Sequence, residues 1–197
     1  MWTATGEYLR GLRSLCDERG ALLAFDEVQT GPARTGAWWY GEHADIAVRP
    51  DLITTAKGLG SGVPIGAVIA RDEVSAAVKE GDQGTTFGGG PLACAAMLAT
   101  LSVVRDEGLL ANATACFEHV QSVTKSIPAV TGIRGRGMLI GLVLDRDARP
   151  VNKALRAEGI LAGTTPGDPR VLRLLPPLVL TTGEVDRFAD ALRKVLA

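Results

Sequence analysis

The chain has 197 residues, 46% hydrophobic and 22% charged, with a formal net charge of −1. That length suits one large domain or a medium and a small one, and the balanced, scattered charge argues against nucleic acid or an anionic membrane as partner. No apolar run reaches the roughly eighteen residues of a membrane span, no signal peptide opens the chain, and Cys16, Cys94 and Cys116 read as reduced packing residues of a cytoplasmic protein.

The spacing predicts an amphipathic helix over Thr5–Arg19, where Leu9, Leu12, Leu15 and Cys16 recur on one face, Thr5 caps and Gly20 stops. The apolar run Leu22–Phe25 then leads into Asp26 and Glu27, and Gly31 and Pro32 break it. It predicts a strand buried on both faces of a parallel sheet. A carboxylate at such a strand end lies at the sheet's carboxyl edge, where open α/β folds bind ligands; otherwise it caps the following turn. Trp38, Trp39 and Tyr40 read as lining for a loop or subunit interface.

Asp51–Ala56 predicts a second strand ending in Lys57, and Val63–Ala70 a third. Two strand ends, one bearing Asp26 and one Lys57, suggest a single site with opposite charges. The intervening Gly58-Leu59-Gly60-Ser61-Gly62 is neither a dinucleotide fingerprint nor a Walker A loop. Its glycines would let backbone pass close to a bulky group beside Lys57. An apolar strand ending in Asp-Glu also fits a Walker B strand, but no Gly-Lys-Ser/Thr loop accompanies it.

Arg71–Glu80 predicts a short helix. The loop Gly84–Pro91, with Thr85 and Thr86, leads into a long helix over Leu92–Val104. The loop suits a phosphate at a helix N-terminus as well as it suits a plain turn. The helical pattern resumes over Leu109–Lys125, and a domain boundary is placed at 126/127. Beyond it, strands over Met138–Leu144, Ile160–Ala162 and Val171–Leu175 mix with helices over Val151–Ala157 and Gly183–Leu196, which suggests a small α+β domain. Arg173, after a strand and beside two prolines, suits a bidentate grip on a carboxylate or a surface salt bridge. His43 and His119 read as surface or packing residues, and no metal cluster is expected.

These motifs together resemble one family. Phe25-Asp26-Glu27-Val28-Gln29-Thr30-Gly31 with Arg34-Thr35-Gly36 comes first, then Ala56-Lys57-Gly58-Leu59-Gly60 with Pro64-Ile65-Gly66-Ala67. Thr85-Thr86-Phe87-Gly88-Gly89 with Pro91-Leu92-Ala93-Cys94-Ala95 follows, and Arg173-Leu174-Leu175-Pro176-Pro177-Leu178 completes the set. This order resembles class III, pyridoxal phosphate-dependent aminotransferases of fold type I. Gly90 departs from the asparagine usual before the proline. The wording is most like members acting on N-acetylornithine in arginine biosynthesis, with ornithine and 4-aminobutyrate as alternative donors.

The resemblance covers the second half of a family member. It implies an α/β fold: residues 1–126 as the second half of a cofactor-binding large domain, mostly parallel sheet with flanking helices, and 127–197 as a small α+β domain. It implies pyridoxal 5′-phosphate as cofactor, a small-molecule amino donor with 2-oxoglutarate as acceptor, and a homodimer. Lys57 is implied as the lysine that bonds to the cofactor and carries the substrate proton, its amine held in a tight apolar pocket. Asp26 is implied to pair with the protonated ring nitrogen. At about 4 Å and an effective dielectric near 20 that pair is worth roughly 4 kcal/mol, or about three pKa units, which asparagine would not supply.

Val28 is implied to pack on the ring and Gln29 to bond near its phenolic oxygen. Thr86 would hold the phosphate from the neighbouring subunit, and Arg173 the substrate carboxylate. Half a family member is expected to lack the main phosphate loop, a ring-stacking aromatic and a second arginine. It would expose apolar surface and strand edges and, alone, be marginally stable and without turnover; a non-catalytic fragment is the reading of another class.

Overall fold

Thr5 starts the first helix and Gly20 ends it. α1 spans Gly6–Arg19; the Thr5 hydroxyl accepts from the Tyr8 amide at 3.2 Å, and Gly20 closes the C-terminus at φ +61°. The structure is a computed structural model that describes residues 2–197. It divides into two compact units. One comprises Ala4–Ala33 and Ala37–Gly108; the other comprises Leu109–Ala197 and takes in Arg34–Gly36 and the N-terminal residues up to Thr3.

The first unit carries a three-stranded sheet, β1 (Ala24–Asp26), β2 (Leu52–Thr55) and β3 (Ala67–Ala70), in that spatial order. β1 and β2 are parallel, as the sequence predicts, while β3 runs antiparallel to β2. The core is small: Leu9, Leu23, Ile46 and Val48, with Phe25 and Tyr40 packed against them. β1 is not buried on both faces. Ala24 and Asp26 are exposed, because β1 is the edge strand of this sheet and only Leu23 of the apolar run is fully buried.

Asp51 ties these pieces together. Its buried carboxylate accepts from the Leu23 amide at 2.7 Å and meets Arg13 of α1 at 2.6 Å and Arg71 at 3.1 Å. The Leu23 N–H, and then the Arg13 guanidinium, hold it below the usual carboxylate range. The helix expected over Arg71–Glu80 is reduced to α2 (Asp72–Ser75), which buries no residue. A single turn without packing has little to hold it, since tertiary burial supplies most helical stability. α3 (Pro91–Asp106) is full length, with Pro91 at its first turn.

The second unit contains α4 (Leu109–Thr124), β4 (Val130–Arg136), β5 (Leu139–Leu144), α5 (Ala148–Ala157), β6 (Gly163–Thr165), β7 (Asp168–Leu174) and α6 (Thr182–Leu196). The sheet order is β4-β5-β7-β6, antiparallel throughout. Ile140, Leu142 and Leu144 of β5 are fully buried among Cys116, Val120, Leu155, Leu172 and Leu192. Burial raises the Cys116 thiol pKa, which suits a packing residue.

Three sequence expectations change here. α4 packs on α6 and β4, so the division falls at Gly108 and not at 126/127. β4 is a strand that the sequence pattern does not predict, because glycines and arginines break its apolar period. The strand expected over Ile160–Ala162 is Gly163–Thr165 instead, where pairing with β7 sets the bounds.

Candidate active site at the carboxyl edge of the first sheet

Because β1 and β2 run parallel and in register, the residues that follow each strand emerge at the same sheet edge. Asp26 ends β1 opposite Thr54. Thr54 donates its hydroxyl to Asp26 Oδ1 at 3.3 Å, and Val28 donates its amide to the same oxygen at 3.0 Å. Oδ2 carries no hydrogen bond among the described residues, and Asp26 is exposed. One carboxylate oxygen is thus anchored and the other is open to an N–H or a cation.

Lys57 lies just past β2, at the start of the 3-10 turn Lys57–Gly60, against which α3 packs. Its φ of +46° is left-handed, a conformation costing a non-glycine residue about 1 kcal/mol or more. The apolar pocket expected round its amine is not formed by the described residues. Lys57 is exposed, makes no hydrogen bond or ion pair among them, and has open space beside it at Gly58 and Gly62. Gly60, by contrast, is close-packed: a Cβ there would meet the Ile65 side chain at 2.7 Å.

Val28 is half-buried and Gln29 exposed. Thr86 lies on the exposed loop before α3 and makes no hydrogen bond to Asp26, Val28, Gln29 or Lys57; its neighbour Thr85 closes that loop by accepting from the Gly88 amide at 3.1 Å. Arg173 belongs to the other unit. It lies inside β7, which runs on to Leu174, and not after the strand. Its partners across both neighbouring strands are glycines, Gly141 and Gly163, and its guanidinium lies over Gly163. Its Nε is buried without a partner, and it makes no ion pair among the described residues, so the surface-salt-bridge alternative is not met. Sequence reading passed over Thr54 and the side-chain role of Glu27; the strand register would have flagged the first, and its adjacency to Asp26 the second.

The chain belongs to the class-III aminotransferase family: the family described as "Aminotransferase class-III" matches residues 1–196, and the fold is part of a fold type I aminotransferase. Members of this family use pyridoxal 5′-phosphate. Acetylornithine aminotransferase 1 of Bordetella bronchiseptica is 46% identical over 189 residues, which are 94% of this chain and 47% of that protein. Among solved structures, acetylornithine aminotransferase from Elizabethkingia anophelis superposes with a TM-score of 0.86 at 31% identity, covering 98% of this chain and 52% of the other. Ornithine aminotransferase from Toxoplasma gondii does so with a TM-score of 0.84 at 36% identity, over 96% and 46%. The chain spans about half the length of the relatives it matches.

Proposed function

We propose that this chain supplies the lysine and aspartate side of a pyridoxal 5′-phosphate site that moves an amino group from N-acetylornithine or a similar ω-amino compound to 2-oxoglutarate. The observation that carries the reading is that Asp26, with Oδ2 open, and Lys57, exposed and without an ion pair among the described residues, follow parallel strands to one sheet edge. The donor set fits the group, and the space at Gly58, next in the chain to Lys57, is open.

When bound, the cofactor serves as the electron sink that makes a substrate α proton removable. Asp26 would hold the ring through Oδ2, as acceptor for its N–H. Lys57 would hold the cofactor through its amine, and the same amine would be the group that takes up and returns the substrate proton. Val28 would pack against the ring, Gln29 would bond near its phenolic oxygen, and Thr86 would hold the phosphate, in a homodimer from the neighbouring subunit. Arg173, with a buried unpartnered Nε and no ion pair, grips a substrate carboxylate through its planar fork. Ornithine is the second donor, favoured by the structural likeness to ornithine aminotransferases. We place the protein in the cytoplasm, in arginine biosynthesis.

The test is to incubate the protein with pyridoxal 5′-phosphate, reduce with borohydride and map the adduct by peptide mass spectrometry. A pyridoxyl group on Lys57, absent from Lys57→Ala, is the expected result. Labelling spread over several lysines and unchanged in that variant would sink the assignment.

A further inference from the structure

We propose that Glu27 is a positioning residue that fixes Asp26 and Val28 for the cofactor ring, an inference that rests on the reading of Asp26 and Lys57 above. Consecutive residues along a strand point to opposite faces, and β1 ends with that alternation. Asp26 is exposed, whereas Glu27 is 1% exposed. Glu27 Oε2 accepts from the Thr30 hydroxyl at 2.5 Å, and Oε1 from the Tyr40 amide at 2.6 Å. Its main-chain N–H donates to Thr54 O at 2.9 Å, and its C=O accepts from the Gly31 amide at 3.0 Å. One residue therefore joins the β1 edge to β2, to the turn over 28–31 and to the aromatic segment at Tyr40.

The turn closed in this way is the one that orients the site. Val28 lies between Glu27 and Thr30, and its N–H is one of the two donors fixing Asp26 Oδ1. Thr54 is the other donor, and its carbonyl is held by the Glu27 amide. The Glu27 main chain thus holds the strand that carries one anchor, and its side chain closes the turn that carries the other, Val28. A buried carboxylate without a cation is a costly group, tolerated where hydrogen bonds compensate it. Glu27 makes no ion pair among the described residues, and burial raises its pKa. Bonds from the Thr30 hydroxyl and from the Tyr40 and Gly41 amides hold it there, and glutamine keeps an oxygen for the amides and an N–H for Thr30. An amide oxygen accepts from Tyr40, and an amide N–H donates to the Thr30 hydroxyl, which can turn to accept.

The experiment measures pyridoxal 5′-phosphate affinity by spectroscopic titration and, without cofactor, hydrogen exchange at the Val28 and Gly31 amides. Glu27→Ala should weaken binding about tenfold, the size of a lost hydrogen bond to a charged group, and speed exchange at both amides. Glu27→Gln should leave both readouts within about twofold, since it keeps the bonds. Leu9→Ala, in the core of the same unit, should lower the melting temperature and leave affinity unchanged. Where Glu27→Ala does not fold, Thr30→Val removes the Oε2 partner alone and should weaken binding about threefold. Parent-like affinity in the alanine variant, or an equal loss in Leu9→Ala, overturns the positioning role. If Asp26→Ala and Lys57→Ala also bind like the parent, the cofactor reading itself fails and takes this inference with it.

Discussion

Thr54 and Asp26 face each other across the parallel strand pair, and the Thr54 hydroxyl lies 3.3 Å from Asp26 Oδ1. A threonine hydroxyl given to a carboxylate fixes which oxygen remains open. Thr54→Val removes that donor at nearly constant shape and leaves only the Val28 amide. Cofactor affinity is expected to fall by about 1 kcal/mol, as for one lost hydrogen bond, while Thr54→Ser keeps it. Titration of the three proteins with pyridoxal 5′-phosphate decides this, and equal affinities would show that the hydroxyl is idle.

Asp51 makes the first unit sensitive to acid. Its folded pKa lies below the unfolded value of 3.8, chiefly through the Leu23 amide and then Arg13. The stability it contributes is therefore present above pH 3.8 and lost as pH falls through the depressed value. Asp51→Ala removes the acceptor of the Leu23 amide and one partner each of Arg13, which keeps Asp17, and Arg71, which keeps the Arg49 and Pro50 carbonyls, and should cost roughly 2–3 kcal/mol near neutral pH. The gap from the parent should close below that range. Denaturant melts across a pH series measure it, and a gap independent of pH would refute the linkage.

Gly137 is held by backbone geometry and by space together. Its φ is +54°, and a Cβ there would lie 2.6 Å from Arg34 O. Gly137→Ala should destabilise the second unit by roughly 2–4 kcal/mol, because strain and overlap add. Gly108 has φ +65° and nothing within 4 Å, so Gly108→Ala should cost only about 1 kcal/mol. Comparable losses in the two variants would remove the steric contribution.

The first unit leaves large apolar side chains uncovered in the chain as it stands. Phe87 is 92% exposed, Leu92 77% and Val68 64%, and β1 is an edge. Apolar surface and free strand edges promote self-association. The isolated 197-residue polypeptide should form oligomers or aggregates on sedimentation, and Val68→Lys with Leu92→Lys should shift it towards monomer. A clean monomer for the parent chain would contradict this.

Much of the candidate site was legible because chemistry and chain order coincide there. Asp26 and Lys57 each follow a short apolar run, so their placement at strand ends came from local pattern. The amine's surroundings were not legible, since a pocket is a sum of distant neighbours and a motif names none of them; Lys57 is exposed here. β4 was hidden because its Gly132, Arg134, Gly135 and Arg136 interrupt the period that marks a strand, and pairing with β5 overrides local preference. α4 was assigned to the wrong side of the boundary because a helix's own spacing does not say which core it serves.

The tripeptide Arg34–Gly36 belongs to the unit otherwise built from Leu109 onwards, where Arg34 O receives the amide of the wholly buried Met138 at 2.8 Å. That makes the C-terminal module discontinuous in the gene. A fragment starting at Leu109 would encode every strand of its sheet and still leave the Met138 donor without its acceptor. Recombination that exchanges this module between relatives must carry residues 34–36 along with it. A proteolytic cut near Gly108 alone would leave the tripeptide tethered to the N-terminal fragment, so the two fragments should co-elute until denatured.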